Sequence, residues 1–100
     1  MSAIELRDEI KLLLRTAYGS DCELFGITVL HECSDALDRS IAPTGNWFHG
    51  FVHQPFGRPR LHYSGCSVRA VMAQFEERFG GLLMARNESK KKRGVSHAAN

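Results

Sequence analysis

A chain of 100 residues has room for one domain, and a domain of this size buries roughly 60 to 68% of the surface of its unfolded chain. Hydrophobic residues make up 43% and charged residues 24% of the sequence, which is typical of a globular fold and excludes a disordered chain. The formal net charge is +2, but five basic residues and one acidic residue lie in residues 86–100, so residues 1–85 have a net charge of −2. A mildly acidic body argues against a nucleic-acid surface spread over the domain, because phosphate binding requires clustered Lys and Arg.

The N-terminus has no basic stretch followed by an apolar segment, and the longest aliphatic run covers only residues 12–14. We therefore expect no membrane span and a cytoplasmic protein. Cys22, Cys33 and Cys66 cannot all pair within one chain, and none belongs to a Cys-x-x-Cys motif. This cysteine usage fits a reducing compartment.

The first predicted element is an amphipathic helix from about Ala3 to Tyr18. Ser2 followed by Glu5 matches a capping box, and Gly19 is a residue that can end the helix. The apolar positions fall on one helical stripe: Leu6, Ile10, Leu13, Leu14 and Ala17.

Residues 23–32 are predicted to form the first strand. Apolar side chains fall on both of its faces: Phe25, Ile27 and Val29 on one, Leu24 and Leu30 on the other. This pattern is typical of a strand that is covered on at least part of both faces, so we expect an interior strand. Residues 34–41 are predicted to be a loop with room for one helical turn, because Pro43 and Gly45 soon end any regular structure.

Two further strands, residues 46–54 and 60–64, are predicted to form a hairpin. Their connection contains Pro55 and Pro59, which cannot donate ladder hydrogen bonds, and Gly57, which accommodates positive φ at the tip.

Ser67 is predicted to cap the last helix, which Gly80-Gly81 should end. Its apolar positions recur at helical spacing: Val68, Val71, Met72, Phe75 and Phe79. Residues 82–84 are apolar and would either pack on the core or contact a partner. The composition then changes to Asn, Ser, Lys, Gly and Ala, so we expect one domain over residues 1–85 and a flexible basic tail over residues 86–100.

The element order αβββα predicts an α+β fold in which both helices pack on one face of a three-stranded antiparallel sheet. Alternation along the second strand puts Trp47, His49, Phe51 and His53 on one face and Phe48, Gly50 and Val52 on the other. One set must face the helices. The other stays open or is covered by residues 34–44, and an exposed aromatic patch would indicate a binding surface.

Four histidines and two cysteines raise the question of a zinc site: His31, His49, His53, His62, Cys33 and Cys66. A structural zinc ion needs four ligands at about 2.0–2.3 Å. His49 and His53 share a strand face but lie roughly 13 Å apart along it, so they cannot bind one ion together. His31 and Cys33 lie closer, but no second pair with the usual spacing accompanies them. We therefore predict partly exposed strand histidines, with no metal ion and no cofactor.

Cys66 precedes the last helix, where backbone N–H groups and the helix dipole can lower the pKa of a thiol. With a nearby histidine such as His62 it could serve as a nucleophile. Free cysteine is more often simply buried, and so small a domain offers little room for a substrate pocket. We therefore expect a protein that is not an enzyme, and we keep a small cysteine-dependent enzyme as the third alternative.

The preferred contact surface is the hairpin edge, formed by Trp47, Phe56, Arg58 and Arg60. Arginine and aromatic residues are enriched at the hot spots of protein interfaces. Direct binding of double-stranded RNA or DNA is the alternative, and it would use Arg69 with four residues of the tail: Lys90, Lys91, Lys92 and Arg93. The tail could equally be a solubilising segment.

The element order, with the last helix opened by Ser67-Val68-Arg69-Ala70-Val71, resembles the double-stranded-RNA-binding domain over about residues 3–80. That family bridges phosphates with a cluster of lysines at the start of its final helix, whereas here only Arg69 stands there, followed by Glu76 and Glu77. The sheet with its Ser-capped helix is also similar to small antitoxin-type domains. In size, charge and lack of catalytic motifs the chain resembles phage and mobile-element inhibitors, including anti-CRISPR proteins, which dock stoichiometrically on a host nucleoprotein.

Together these features favour a non-catalytic binding module that docks on a protein or nucleoprotein. The resemblance implies inhibition of host nucleic-acid machinery. A body with a net charge of −2 could block a basic nucleic-acid channel, because carboxylates compete with phosphate for Lys and Arg. A homodimer, formed through an open sheet face or through residues 82–84, is a further alternative.

Overall fold

The computed structural model describes residues 2–81. The elements follow in this order: α1 (Ala3–Tyr18), a 3-10 helix (Gly19–Leu24), β1 (Gly26–Cys33), β2 (Asn46–His53), β3 (Leu61–Gly65) and α2, which covers 68–81. The predicted α+β fold, with two helices and a three-stranded antiparallel sheet, is confirmed. The expected domain end at residue 85, the apolar residues 82–84 and the basic tail lie outside the described residues.

Helix α1 begins and ends where the sequence predicts. The Ser2 Oγ accepts a hydrogen bond from the backbone N–H of Glu5 at 3.3 Å. At the other end Gly19 has a φ of 62°, a conformation that favours glycine, and its N–H donates to the carbonyl of Arg15. The buried stripe of α1 consists of Leu6, Ile10, Leu14 and Ala17.

The sheet has the order β1-β2-β3, so β2 is the central strand. The prediction that the first strand is interior is therefore wrong. Leu24 belongs to the 3-10 helix, and Leu30 is 52% exposed, so the apolar residues on the second face do not mark a covered strand. The first strand is an edge strand with only one face against the core.

The helices pack on the face of β2 that carries Phe48, Gly50 and Val52, all of which are buried. Gly50 is required for this approach. A Cβ built at Gly50 would lie 2.8 Å from a ring carbon of Phe75 in α2 and 3.1 Å from the Cδ1 of Ile10 in α1. The absence of a side chain at this position thus lets both helices reach the centre of the sheet.

Helix α2 is capped as predicted, since the Ser67 Oγ accepts a hydrogen bond from the N–H of Ala70 at 3.0 Å. The Gln74 side chain ties the helix to the sheet by donating to the backbone carbonyl of Ser64 at 2.6 Å. Gly80 and Gly81, where the sequence predicts the end of α2, are both helical, and the residues that follow them lie outside the described range. All five predicted stripe positions are buried: Val68, Val71, Met72, Phe75 and Phe79.

Residues 34–45 form the loop between β1 and β2, as predicted, and consist of successive turns. The loop holds itself together locally. Asp38 accepts hydrogen bonds from the N–H and the hydroxyl of Ser40, and these bonds lower the pKa of its carboxyl. An ion pair joins Arg39 to Asp35 at 3.1 Å, and Ala42 is fully buried.

Candidate docking surface

The sheet face opposite the helices, called the open face below, carries the other set of β2 side chains: Trp47, His49, Phe51 and His53. The strand register brings residues of both neighbouring strands to the same face: Thr28, Leu30 and Glu32 of β1, and His62 and Ser64 of β3. His53 and His62 are exposed and Phe51 is half-buried. Within residues 2–81, therefore, this end of the open face is uncovered.

A hydrogen-bonded chain crosses the open face from β1 to β3. The Nε2 of His49 lies 2.6 Å from the Oε1 of Glu32, and its Nδ1 lies 3.1 Å from the Nε2 of His62. A carboxylate can only accept, so the Nε2–H of His49 donates to Glu32, and in neutral His49 the Nδ1 accepts from the Nε2–H of His62. A protonated His49 would donate from both nitrogens, which requires a neutral His62. Both hydrogen bonds, Glu32–His49 and His49–His62, can therefore persist when one of the two histidines is protonated but not when both are.

Ring stacking orders the same part of the open face. The rings of Phe51 and His62 are nearly parallel, with centroids 4.2 Å apart, and the guanidinium of Arg60 lies 5.0 Å from the Phe51 centroid. Partial burial lowers the pKa of His62 below its ordinary value of about 6.5, and the nearby His49 and Arg60 lower it further. The neutral form of His62 is therefore favoured relative to that of a free histidine, and its Nε2–H can donate to His49.

The hairpin tip, residues 54–60, presents an aromatic ring to solvent in an unusual backbone conformation. Phe56 has a φ of 63° and is 85% exposed, and Gly57 has a φ of 70°. The N–H of Arg58 donates to the carbonyl of Pro55 at 3.4 Å, so both central residues of this turn have the positive φ of a type I′ turn. Within residues 2–81, Phe56 is the one non-glycine residue with positive φ.

The structure brings three of the four predicted partner-binding residues together. Phe56, Arg58 and Arg60 lie in the hairpin tip, and all are exposed. Trp47 lies on the open face but at the opposite end of β2, six positions before His53, which is roughly 20 Å along the strand. The hairpin tip and the near end of the open face, with Phe51 and His62, therefore form one continuous surface that does not include Trp47.

Carboxylates and basic groups occupy different parts of the fold. The sequence has no Asp or Glu between Asp38 and Glu76. This stretch includes β2, the hairpin tip, β3 and the start of α2, and its formally charged residues are all arginines: Arg39, Arg58, Arg60 and Arg69. On the open face, the carboxylate of Glu32 is engaged by His49. The hairpin tip is thus a basic and aromatic surface on a body of negative net charge.

The structure does not assemble the groups considered for metal binding or catalysis. Among residues 2–81, no group of three or more His, Cys, Asp or Glu side chains is placed to hold a metal ion. His31 stacks on Phe48 at 4.3 Å. All three cysteines are free, and Cys66 borders a small pocket beside Phe48, whereas His62 is engaged by His49. Cys66 and His62 are four residues apart along an extended segment, roughly 13 Å.

The residues proposed for nucleic-acid contact are only partly described. Arg69 is exposed on α2 and borders a groove whose other charged residues are Glu5, Glu9 and Glu76. An acidic groove of this kind repels phosphate. The four basic residues of the tail lie outside the described residues.

No model of a known protein family matches this chain, and neither a curated protein nor a solved structure is significantly similar to it. Over residues 2–81, no helix combines the length and the apolar character needed to cross a membrane.

Proposed function

We propose that this protein is a non-catalytic binding module that docks stoichiometrically on a protein or nucleoprotein partner, with Phe56 as its anchor. The observation that carries the proposal is an exposed aromatic ring held in a left-handed backbone conformation. That conformation costs a residue with a Cβ about 1–2 kcal/mol. Burial of the ring in a pocket of a partner would contribute about 1.5–3 kcal/mol, which offsets this cost.

The surroundings of Phe56 indicate the chemistry of the partner surface. Arg58 and Arg60 follow Phe56 in the hairpin tip, and His53, Phe51 and His62 are the open-face residues at this end of the sheet, without an unpaired carboxylate among them. A protein surface with an apolar pocket and carboxylates around it complements this arrangement in shape and in charge. Inhibition of host nucleic-acid machinery, the activity of the proteins that the chain resembles in type, is one form that such docking takes.

Direct nucleic-acid binding has less support. The alternative is binding of double-stranded RNA or DNA, which depends on Lys and Arg that contact phosphates. Arg69 has acidic neighbours, and the sequence provides no further Lys or Arg between Arg69 and Arg78. Of the five residues assigned to nucleic-acid contact, only the four of the tail are then left to bind phosphate.

Affinity capture from a lysate of the source organism, treated with nuclease, tests the proposal. Wild type should retain a protein partner in a fixed molar ratio, and Phe56→Asn should lose it. Leu12→Asn is the matched control, because it also removes an exposed apolar side chain (64% exposed) but lies on α1. Equal retention by Phe56→Asn and wild type would contradict the anchor, and retention that disappears after nuclease treatment would favour the nucleic-acid alternative.

A further inference from the structure

The outer edge of β1 is uncovered within residues 2–81. β1 pairs with β2 along all eight of its residues without a bulge, and no strand of the described part of the chain lies along its other edge. Such an edge presents unpaired N–H and C=O groups that another strand can pair with. Proteins usually protect edges with proline, lysine, a bulge or a very short strand. Gly26–Cys33 has no proline, lysine or bulge, and Glu32 is its one formally charged residue, whereas the opposite edge strand, β3, is only five residues long.

A groove of about 580 Å³ lies beside this edge on the helix side of the sheet, between α1 and the start of β1. Its walls include the exposed Ile4 and the half-buried Phe25 and Ile27. The charged residues along it balance each other: Arg7 and Lys11 against Asp8 and Glu23. The surface beside the edge is therefore partly apolar and carries no net charge.

We infer that a second copy of this chain pairs with β1 across a two-fold axis, which joins the two sheets into one six-stranded antiparallel sheet. A two-fold interface must be complementary to itself. β1 meets this condition in a register centred on Leu30, because Glu32 of one copy then opposes Thr28 of the other and no two like charges face each other across the axis. The inference uses neither Phe56 nor the hairpin tip, so it stands independently of the proposed docking function.

The side-chain alternation of β1 fixes which registers are allowed. Residues opposed across an antiparallel pair point to the same sheet face, so a residue on the open face must oppose another on that face. A register centred on Leu30 satisfies this rule and brings the two leucines, each 52% exposed in the single chain, into contact. A standard interface buries about 800 Å² on each partner, so the groove must contribute together with the strand edge.

Sedimentation of the full chain across a wide range of concentration tests the inference. The expected result is a species with about twice the monomer mass of 11.2 kDa. Leu30→Lys would place two like charges opposite each other at the axis, and we expect it to weaken the dimer at least about tenfold. Leu12→Lys is the matched control, because it makes the same change at an exposed leucine that does not line the groove, and it should leave the dimer intact.

Hydrogen exchange of the β1 amides and circular dichroism of each variant complete the test. The amides at the outer edge should become more protected as the dimer forms, and Leu30→Lys should keep the circular dichroism of wild type. A chain that stays monomeric at every concentration would overturn the inference. So would a dimer that Leu12→Lys weakens as much as Leu30→Lys. Protected β1 amides in a monomer would also overturn it, because they would mean that another part of the same chain covers the edge.

Discussion

Replacing Phe56 by Asn should stabilise the fold while it removes the proposed anchor. A φ of 63° costs Phe about 1–2 kcal/mol, and Asn relieves much of this cost because its short side chain tolerates the left-handed region. The ring is 85% exposed, so its removal forfeits only about one seventh of the 1.5–3 kcal/mol that full burial of Phe contributes. The difference predicts a gain of about 0.5–1 kcal/mol in the free energy of unfolding.

Urea and thermal denaturation of the two proteins measure this gain. In a domain of this size it corresponds to an increase in Tm of roughly 2–8 °C. Gly57→Ala is the matched control at the next position, where φ is 70° and a Cβ would meet no heavy atom within 4 Å. The only cost of this substitution is backbone strain, which should lower the free energy of unfolding by about 1 kcal/mol. A Phe56→Asn variant less stable than wild type would refute the reasoning, because it would show that the ring stabilises the fold.

Two further predictions concern the sheet. Lowering the pH from about 8 to about 5 should reduce the free energy of unfolding, because the lowered pKa of His62 means that the unfolded chain binds more protons below about pH 6.5. Urea titrations should show a smaller loss for His62→Gln than for wild type, and an identical loss would contradict the lowered pKa. Gly50→Ala should destabilise the fold by about 1–3 kcal/mol, since the new methyl group would lie 2.8 Å from Phe75. An unchanged urea midpoint for Gly50→Ala would show that Phe75 and Ile10 can move away without cost.

Local signals in the sequence predicted most of the fold. The Ser2 cap, the α1 stripe and Gly19 located the first helix to the residue, because capping and helical periodicity depend on neighbours within four positions. The position of β1 at the edge of the sheet depends on which strands pair, and apolar residues on both faces of a short segment do not decide it. Gly80 and Gly81 are compatible with a helical backbone, because glycine lowers helix propensity by only about 1 kcal/mol, which packing of the preceding turns can offset.

The candidate surface is only partly predictable from the sequence, because its composition depends on how the strands pair. Their aromatic character groups Trp47 with Phe56 in the sequence, but six strand positions separate Trp47 from the end of β2. The chain through His49 joins residues that are 17 and 13 positions apart in sequence, so it exists only once the register of both strand pairs is known. The positive φ of Phe56 has no sequence signal of its own, because the adjacent Gly57 accounts for only one of the two positive φ values of the turn.

The hydrogen-bonded histidines should also make docking depend on pH. Below its lowered pKa, His62 takes up a proton and places a second positive charge beside Arg60 and Phe51. The added charge should accelerate association with an acidic partner. Binding kinetics with the captured partner at about pH 7.5 and 5 should show a faster association at the lower pH for wild type and a much weaker response for His62→Gln. An equal response of the two proteins would place the histidine pair outside the docking surface.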